Sequence, residues 1–228
     1  MKKEVKNYLC TLIFTVMCLS IIVPQLNAQP QTAEKSLQTL LEGNKRFVSG
    51  TFSQKNYSEE LKELTKGQHP YAIIVCCSDS RVPPEIIFDE SLGKLFVVRV
   101  AGNVIDSVTL GSIEYAAEHL HTNLLVVLGH ESCGAVNAAL DGGETTPNIA
   151  QILRRIDPAV KKAYSQNLEK ENTINFAIDE NVKNQIEACV SNSKTIKELV
   201  ENKELKIVGA FFNLKTGIVD LIHTNHEE

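Results

Sequence analysis

Apolar residues follow two spacings along this chain, and each change of spacing marks a new element. After Thr32, Leu37, Leu40, Leu41, Asn44 and Val48 recur at helical intervals, and Gly50 closes the run. This predicts an amphipathic helix from Thr32 to Val48 with Leu37, Leu40 and Leu41 packed. The stretch from Thr51 to His69 is polar; a short helix is expected over Ser58 to Thr65, and Gly67-Gln68-His69-Pro70 reads as a turn. Tyr71 to Cys76, Leu95 to Val100 and Leu124 to Leu128 are continuous apolar runs between turn residues, the pattern of strands buried on both faces. Helix signals separate them. Pro83-Pro84 suits a helix start, Asp106 can cap a helix running to about Leu120, and another helix is expected from about Ala135. Ile152 to Val200 reads as three helices, and Lys206 to Asn213 with Gly217 to Ile222 as a hairpin-like pair around Leu214-Lys215-Thr216.

Strand–helix–strand alternation predicts an α/β fold. The expected architecture is a central, mainly parallel sheet covered by helices, with an amino-terminal helical arm and a carboxyl-terminal strand pair. Residues 29–228 read as one domain, with no internal repeat. The first 28 residues follow a different logic. Lys2, Lys3 and Lys6 precede an apolar stretch from Tyr8 to Val23, then Pro24-Gln25-Leu26-Asn27-Ala28. That pattern predicts a signal peptide cut near Ala28 and a periplasmic or secreted product, with no membrane association after cleavage.

The net charge is −5, and loss of residues 1–28 would remove three Lys and one Glu. With no basic stripe and no Trp, nucleic acid is not an expected partner. Beyond Ala28 the cysteines are Cys76, Cys77, Cys133 and Cys189. Disulfides are the ordinary reading in an exported protein, but this is not a disulfide-dense scaffold, and adjacent Cys76-Cys77 suits a bridge poorly. The position of the histidine favours a metal.

Two polar clusters each follow an apolar run: Cys77-Ser78-Asp79-Ser80-Arg81, and Gly129-His130-Glu131-Ser132-Cys133-Gly134. Ligands of parallel sheets sit beyond the carboxyl ends of the strands, where both clusters fall. If the backbone stays extended past Cys76, Cys77, Asp79 and Arg81 point to one side. Cys133 falls at a helix start, which favours a thiolate. Two thiolates and an imidazole make a zinc set, and three ligands leave a fourth position open, as in catalytic sites. A bidentate Asp79–Arg81 pair would hold the carboxylate off the metal as a hydrogen-bond acceptor; release of the pair would let Asp79 become a fourth ligand.

These motifs, with Phe96-Val97-Val98-Arg99 and Ala101-Gly102-Asn103, resemble the β-class carbonic anhydrases over about Leu40 to Leu140. The resemblance implies zinc-dependent, reversible hydration of carbon dioxide to bicarbonate and a proton. It makes Cys77, His130 and Cys133 the zinc ligands, with one Zn²⁺ per chain, and Asp79–Arg81 the catalytic dyad. Gln68 matches a glutamine that hydrogen-bonds substrate in the plant-like branch, and Phe96 and Tyr115 match aromatics lining its pocket, partly across a dimer seam. The other branch carries a tryptophan three residues before the first ligand; here that position is Ile74, which implies the plant-like type. Gly93-Lys94 stands where the family often has Gly-Asp. A homodimer or homotetramer is implied, with the amino-terminal helix reaching over a partner. The alternative is a carbonyl sulfide or carbon disulfide hydrolase using the same zinc site. No histidine is singled out as proton carrier among His69, His119, His121, His223 and His226.

Overall fold

A computed structural model describes residues 31–223; the leader expected at residues 1–28, and His226, lie outside the described residues. Five strands form one sheet in the order β2-β1-β3-β4-β5: β1 (Ala72–Cys76), β2 (Leu95–Arg99), β3 (Leu124–His130), β4 (Lys206–Phe212) and β5 (Val219–Ile222). The first four are mutually parallel, and β5 returns antiparallel to β4. The α/β architecture, the amino-terminal helical region and the terminal strand pair are as the hydrophobic pattern predicts.

The sheet is covered on both faces. One core contains Ile74, Cys76, Val126, Leu128 and Val208; the other contains Ile73, Val75, Leu125, Val127 and Ile207. Alternate residues of each strand thus enter opposite cores, which explains why β1 and β3 read as unbroken apolar runs. β2 differs. It forms one edge of the sheet, and Leu95 to Val98 are only half-buried. Its apolar run resembles those of β1 and β3, so sequence could not distinguish an edge strand from a central one.

Helix α1 (Ala33–Ser49) is capped by the Thr32 side chain, which accepts from the Lys35 N–H, and ends at Gly50 with φ 70°. Leu40 is buried as expected, but Leu37 and Leu41 are only half-buried, and Val48 is exposed. The face is completed by Ser36, Gly43 and Asn44. Asn44 donates to the carbonyls of Ile87 and Gly217 and accepts from the Val219 N–H. These bonds dock α1 on its own chain through Asn44. Asn44 thereby satisfies the Gly217 carbonyl and the Val219 N–H where the chain enters β5, and the Ile87 carbonyl at the end of the helix after β1.

The short helices α2 (Tyr57–Leu64) and α3 (Pro84–Ile87) flank β1, and α4 (Ser107–Glu114) is capped by Asp106, whose carboxylate accepts from the N–H groups of Val108 and Thr109. The helix signal to Leu120 is realised as a π-type turn over Tyr115–His119. Helices α5 (Gly134–Asp141), α6 (Pro147–Ser165), α7 (Lys170–Asn192) and α8 (Lys194–Glu201) follow β3. Pro147 opens α6 at a first-turn position, where its missing N–H costs nothing.

Candidate metal centre and active site

From β1 the chain passes to β2 on one side of the sheet, and from β3 it passes to β4 on the other. The carboxyl ends of adjacent β1 and β3 therefore diverge, leaving a crevice at a topological switch point. Cys77 leaves β1 on one lip. His130 ends β3 on the other, and Cys133 is the N-cap of α5. The two sulfurs and one ring nitrogen lie within 4.8 Å of one another, and all three residues are buried.

The donors are oriented for a cation. Nδ1 of His130 lies 2.9 Å from the Glu131 carbonyl oxygen and donates to it, which fixes the tautomer with a lone pair on Nε2. That Nε2 is buried and has no hydrogen-bond partner. The Gly102 N–H donates to Sγ of Cys77 at 3.3 Å, and N–H groups of Ala135 and Val136 at the start of α5 favour a charged Cys133. Between the sulfurs, a thiol proton on Cys133 donated to Cys77 lowers the Cys77 pKa and raises that of Cys133. Two buried thiolates a few ångströms apart repel each other and need a cation between them. Orphaned Nε2, paired sulfurs and soft donor chemistry fit a four-coordinate zinc with one position left for a non-protein ligand.

Beyond Cys76 the chain does not stay extended. A turn forms at Ser80 and Arg81, the Asp79 carboxylate accepts the Arg81 backbone N–H at 2.9 Å, and the Val82 N–H bonds the Asp79 carbonyl. This Asx-type turn, rather than strand alternation, places Asp79 and Arg81 side by side. Arg81 Nε and a terminal nitrogen grip the two carboxylate oxygens at 2.9 and 2.7 Å, and the same terminal nitrogen lies 3.4 Å from the Ser132 carbonyl. The guanidinium holds the Asp79 carboxyl well below the usual carboxylate range. Asp79 thus faces Arg81. Ser132, between the two ligands of the second cluster, takes a left-handed φ of 55°, a strained conformation for a non-glycine residue.

A match to the carbonic anhydrase family profile spans residues 72–219. The chain belongs to the β-class carbonic anhydrases. It is 41% identical over 196 residues to carbonic anhydrase 2 of Mycobacterium tuberculosis, covering 84% of this chain and 92% of that one. The β-carbonic anhydrase CafA of Aspergillus fumigatus superposes with a TM-score of 0.69 at 26% identity, over 84% of this chain and 92% of that one. One of two tetrameric β-carbonic anhydrases of Sordaria macrospora gives 0.68 at 26% identity, over 72% and 86%.

Within this carbonic anhydrase fold, the remaining residues expected at the site stand apart. Gln68 is exposed in the turn before β1. Phe96 and Tyr115 pack together with ring centroids 6.2 Å apart and planes tilted by 42°, and Tyr115 is 48% exposed. Phe96 packs against the core on the sheet face opposite Cys77 and Cys133. One chain therefore brings together the Cys77–His130–Cys133 trio and the Asp79–Arg81 pair, but not these three.

The structure also adds residues that sequence reasoning passed over. Gly102, at φ 69°, supplies the N–H to Cys77; a Cβ there would lie 2.7 Å from Ile156 and 3.2 Å from Ala135. Its carbonyl accepts from buried Asn181, and Gln185 accepts the Ile105 N–H. Asn181 and Gln185 lie on α7, where an i, i+4 polar pair reads as a solvated face. Only the Ala101-Gly102-Asn103 motif signalled this loop.

Proposed function

We propose that this site carries out zinc-dependent, reversible hydration of carbon dioxide to bicarbonate and a proton. Cys77, His130 and Cys133 hold the metal and Asp79–Arg81 form the dyad. The observation that carries the reading is the buried Cys–His–Cys trio beside a carboxylate turned onto an arginine. Zinc bound there supplies a Lewis acid that brings a coordinated water to a pKa of about 7, a figure established on a carbonic anhydrase with three histidine ligands. Asp79 cannot donate while it is ionised, so it orients a nucleophile by accepting its proton in a hydrogen bond, leaving the nucleophile's lone pair free for the substrate carbon. Arg81 keeps that carboxylate ionised and off the metal.

Gln68, Phe96 and Tyr115 complete the pocket in this proposal, facing the site of a second copy across a homodimer seam. Their separation from the chain's own trio supports that reading. Residues 1–28 act as a leader cleaved near Ala28, so the enzyme works outside the cytoplasm; amino-terminal sequencing of protein from fractionated cells tests this.

The roles are tested by Cys133→Ser and Asp79→Ala. The first is expected to lose zinc. The second is expected to retain zinc while hydration slows by about 10²–10⁴-fold. Full zinc in Cys133→Ser, or full rate in Asp79→Ala, would remove the assignment.

A further inference from the structure

Arg99 is the last residue of β2, in register with Cys76 at the end of β1. There the strand pairing runs out: the Val100 N–H bonds the Cys76 carbonyl at 3.0 Å, and the next carbonyls face no ladder partner. The Arg99 guanidinium takes over. Its Nε donates to the Cys77 carbonyl at 3.1 Å, and a terminal nitrogen donates to the Asp79 carbonyl at 2.5 Å. One side chain thus grips the backbone on both sides of Ser78, tying together a metal ligand and the carboxylate of the dyad.

We propose that Arg99 is a positioning residue that holds the Cys77–Asp79 loop so that Asp79 stays paired with Arg81 and the fourth metal position stays free. The inference rests on the zinc reading above and deepens it. Among the described residues, the Asp79 carboxylate is gripped only by Arg81, whose side chain is 52% exposed. Half of the Arg81 side chain meets water, so a second restraint on the loop adds to the pair's hold on the carboxylate. Arg99 bonds the carbonyls of Cys77 and Asp79, so it restrains the backbone that carries the Asp79 carboxylate beside the trio. Planar guanidinium geometry matters: a lysine ammonium offers no fixed fork to span two carbonyls. Arg99 touches neither the trio's donor atoms nor the Asp79 carboxylate.

The test uses the full chain with Co²⁺ in place of zinc, comparing parent, Arg99→Lys, Arg99→Ala and Arg99→Ala/Asp79→Asn. Cobalt per chain, the visible ligand-field spectrum and its titration with azide are measured alongside carbon dioxide hydration. The parent should bind azide at the free position. In Arg99→Ala the carboxylate reaches the metal, so azide affinity falls about tenfold or more with cobalt retained, and hydration falls with it. Arg99→Lys should lie between. Replacing Asp79 with Asn in the Arg99→Ala background should restore azide binding to within about twofold of the parent but not hydration. A variant that merely loosened the fold would not recover azide binding in this way. If Arg99→Ala keeps the parent spectrum and azide affinity, the proposal is wrong. Should that variant not fold, unchanged azide binding in Arg99→Lys has the same force. A parent that takes up no cobalt overturns the metal reading itself, and this inference with it.

Discussion

At the scale of single residues, burial and charge decide more than residue type. Asp89 has a side chain with no exposed surface and a left-handed φ of 47°, yet stays ionised. Burial pushes its carboxyl up, but donors from Arg46, Lys55 and Ser53 outweigh that and hold it below the usual range. Asp89→Ala should destabilise the protein by about 3 kcal/mol in urea unfolding, because two cations lose their shared partner. Its folded-state pKa lies below its unfolded value of about 3.9, so its contribution is present above that pH and is lost as pH falls through the folded value. Stability independent of pH below 4 would contradict this. That Cys77, His130 and Cys133 meet, and that Asp79 meets Arg81, was legible in sequence because both clusters follow apolar runs at strand ends. Arg99 was not, since an arginine ending a strand reads as a surface charge until its carbonyl partners are seen.

Among elements, glycines measure how closely the layers approach. Gly43 lies inside α1, where helix propensity favours alanine, yet a Cβ there would fall 1.8 Å from the Phe88 carbonyl oxygen, a backbone atom. Gly129, just before His130, would place a Cβ 2.8 Å from Val182 and 3.0 Å from Ile178 on α7. Gly111 on α4 has nothing within 4 Å. Thermal unfolding should therefore rank the alanine variants: Gly111→Ala gains about 0.5–1 kcal/mol from helix propensity. Gly129→Ala loses about 1–3 kcal/mol to overpacking, and Gly43→Ala loses at least as much. Gly129→Ala should also weaken zinc binding, since relief must shift β3 or α7 beside His130. Equal effects at all three would contradict the packing described. Strand and helix existence was legible from periodicity, because the two-sided burial of β1 and β3 leaves a plain apolar run. The edge position of β2 was not, since it depends on strands distant in sequence; the turn after Cys76 is held by local bonds that the strand-alternation argument did not anticipate.

At the scale of the whole molecule, large apolar side chains stay open to solvent on α4, on the π-type turn that follows it and on α6. Val108, Tyr115 and Ile149 are 77%, 48% and 46% exposed. Sedimentation should give the mass of a dimer or tetramer, and Val108→Asp should shift it toward monomer and slow hydration together. A fully active monomer would show that Gln68, Phe96 and Tyr115 serve no second site.

The central claim is that the Cys–His–Cys crevice is a zinc-dependent carbon dioxide hydratase. It is tested most directly by stripping the protein with a chelator, restoring zinc in steps and following hydration by stopped flow. The rate should rise in proportion to zinc and level off at about one metal per chain. Stoichiometric zinc uptake with no hydration from acid to alkaline pH would contradict the account and turn attention to carbonyl sulfide as substrate.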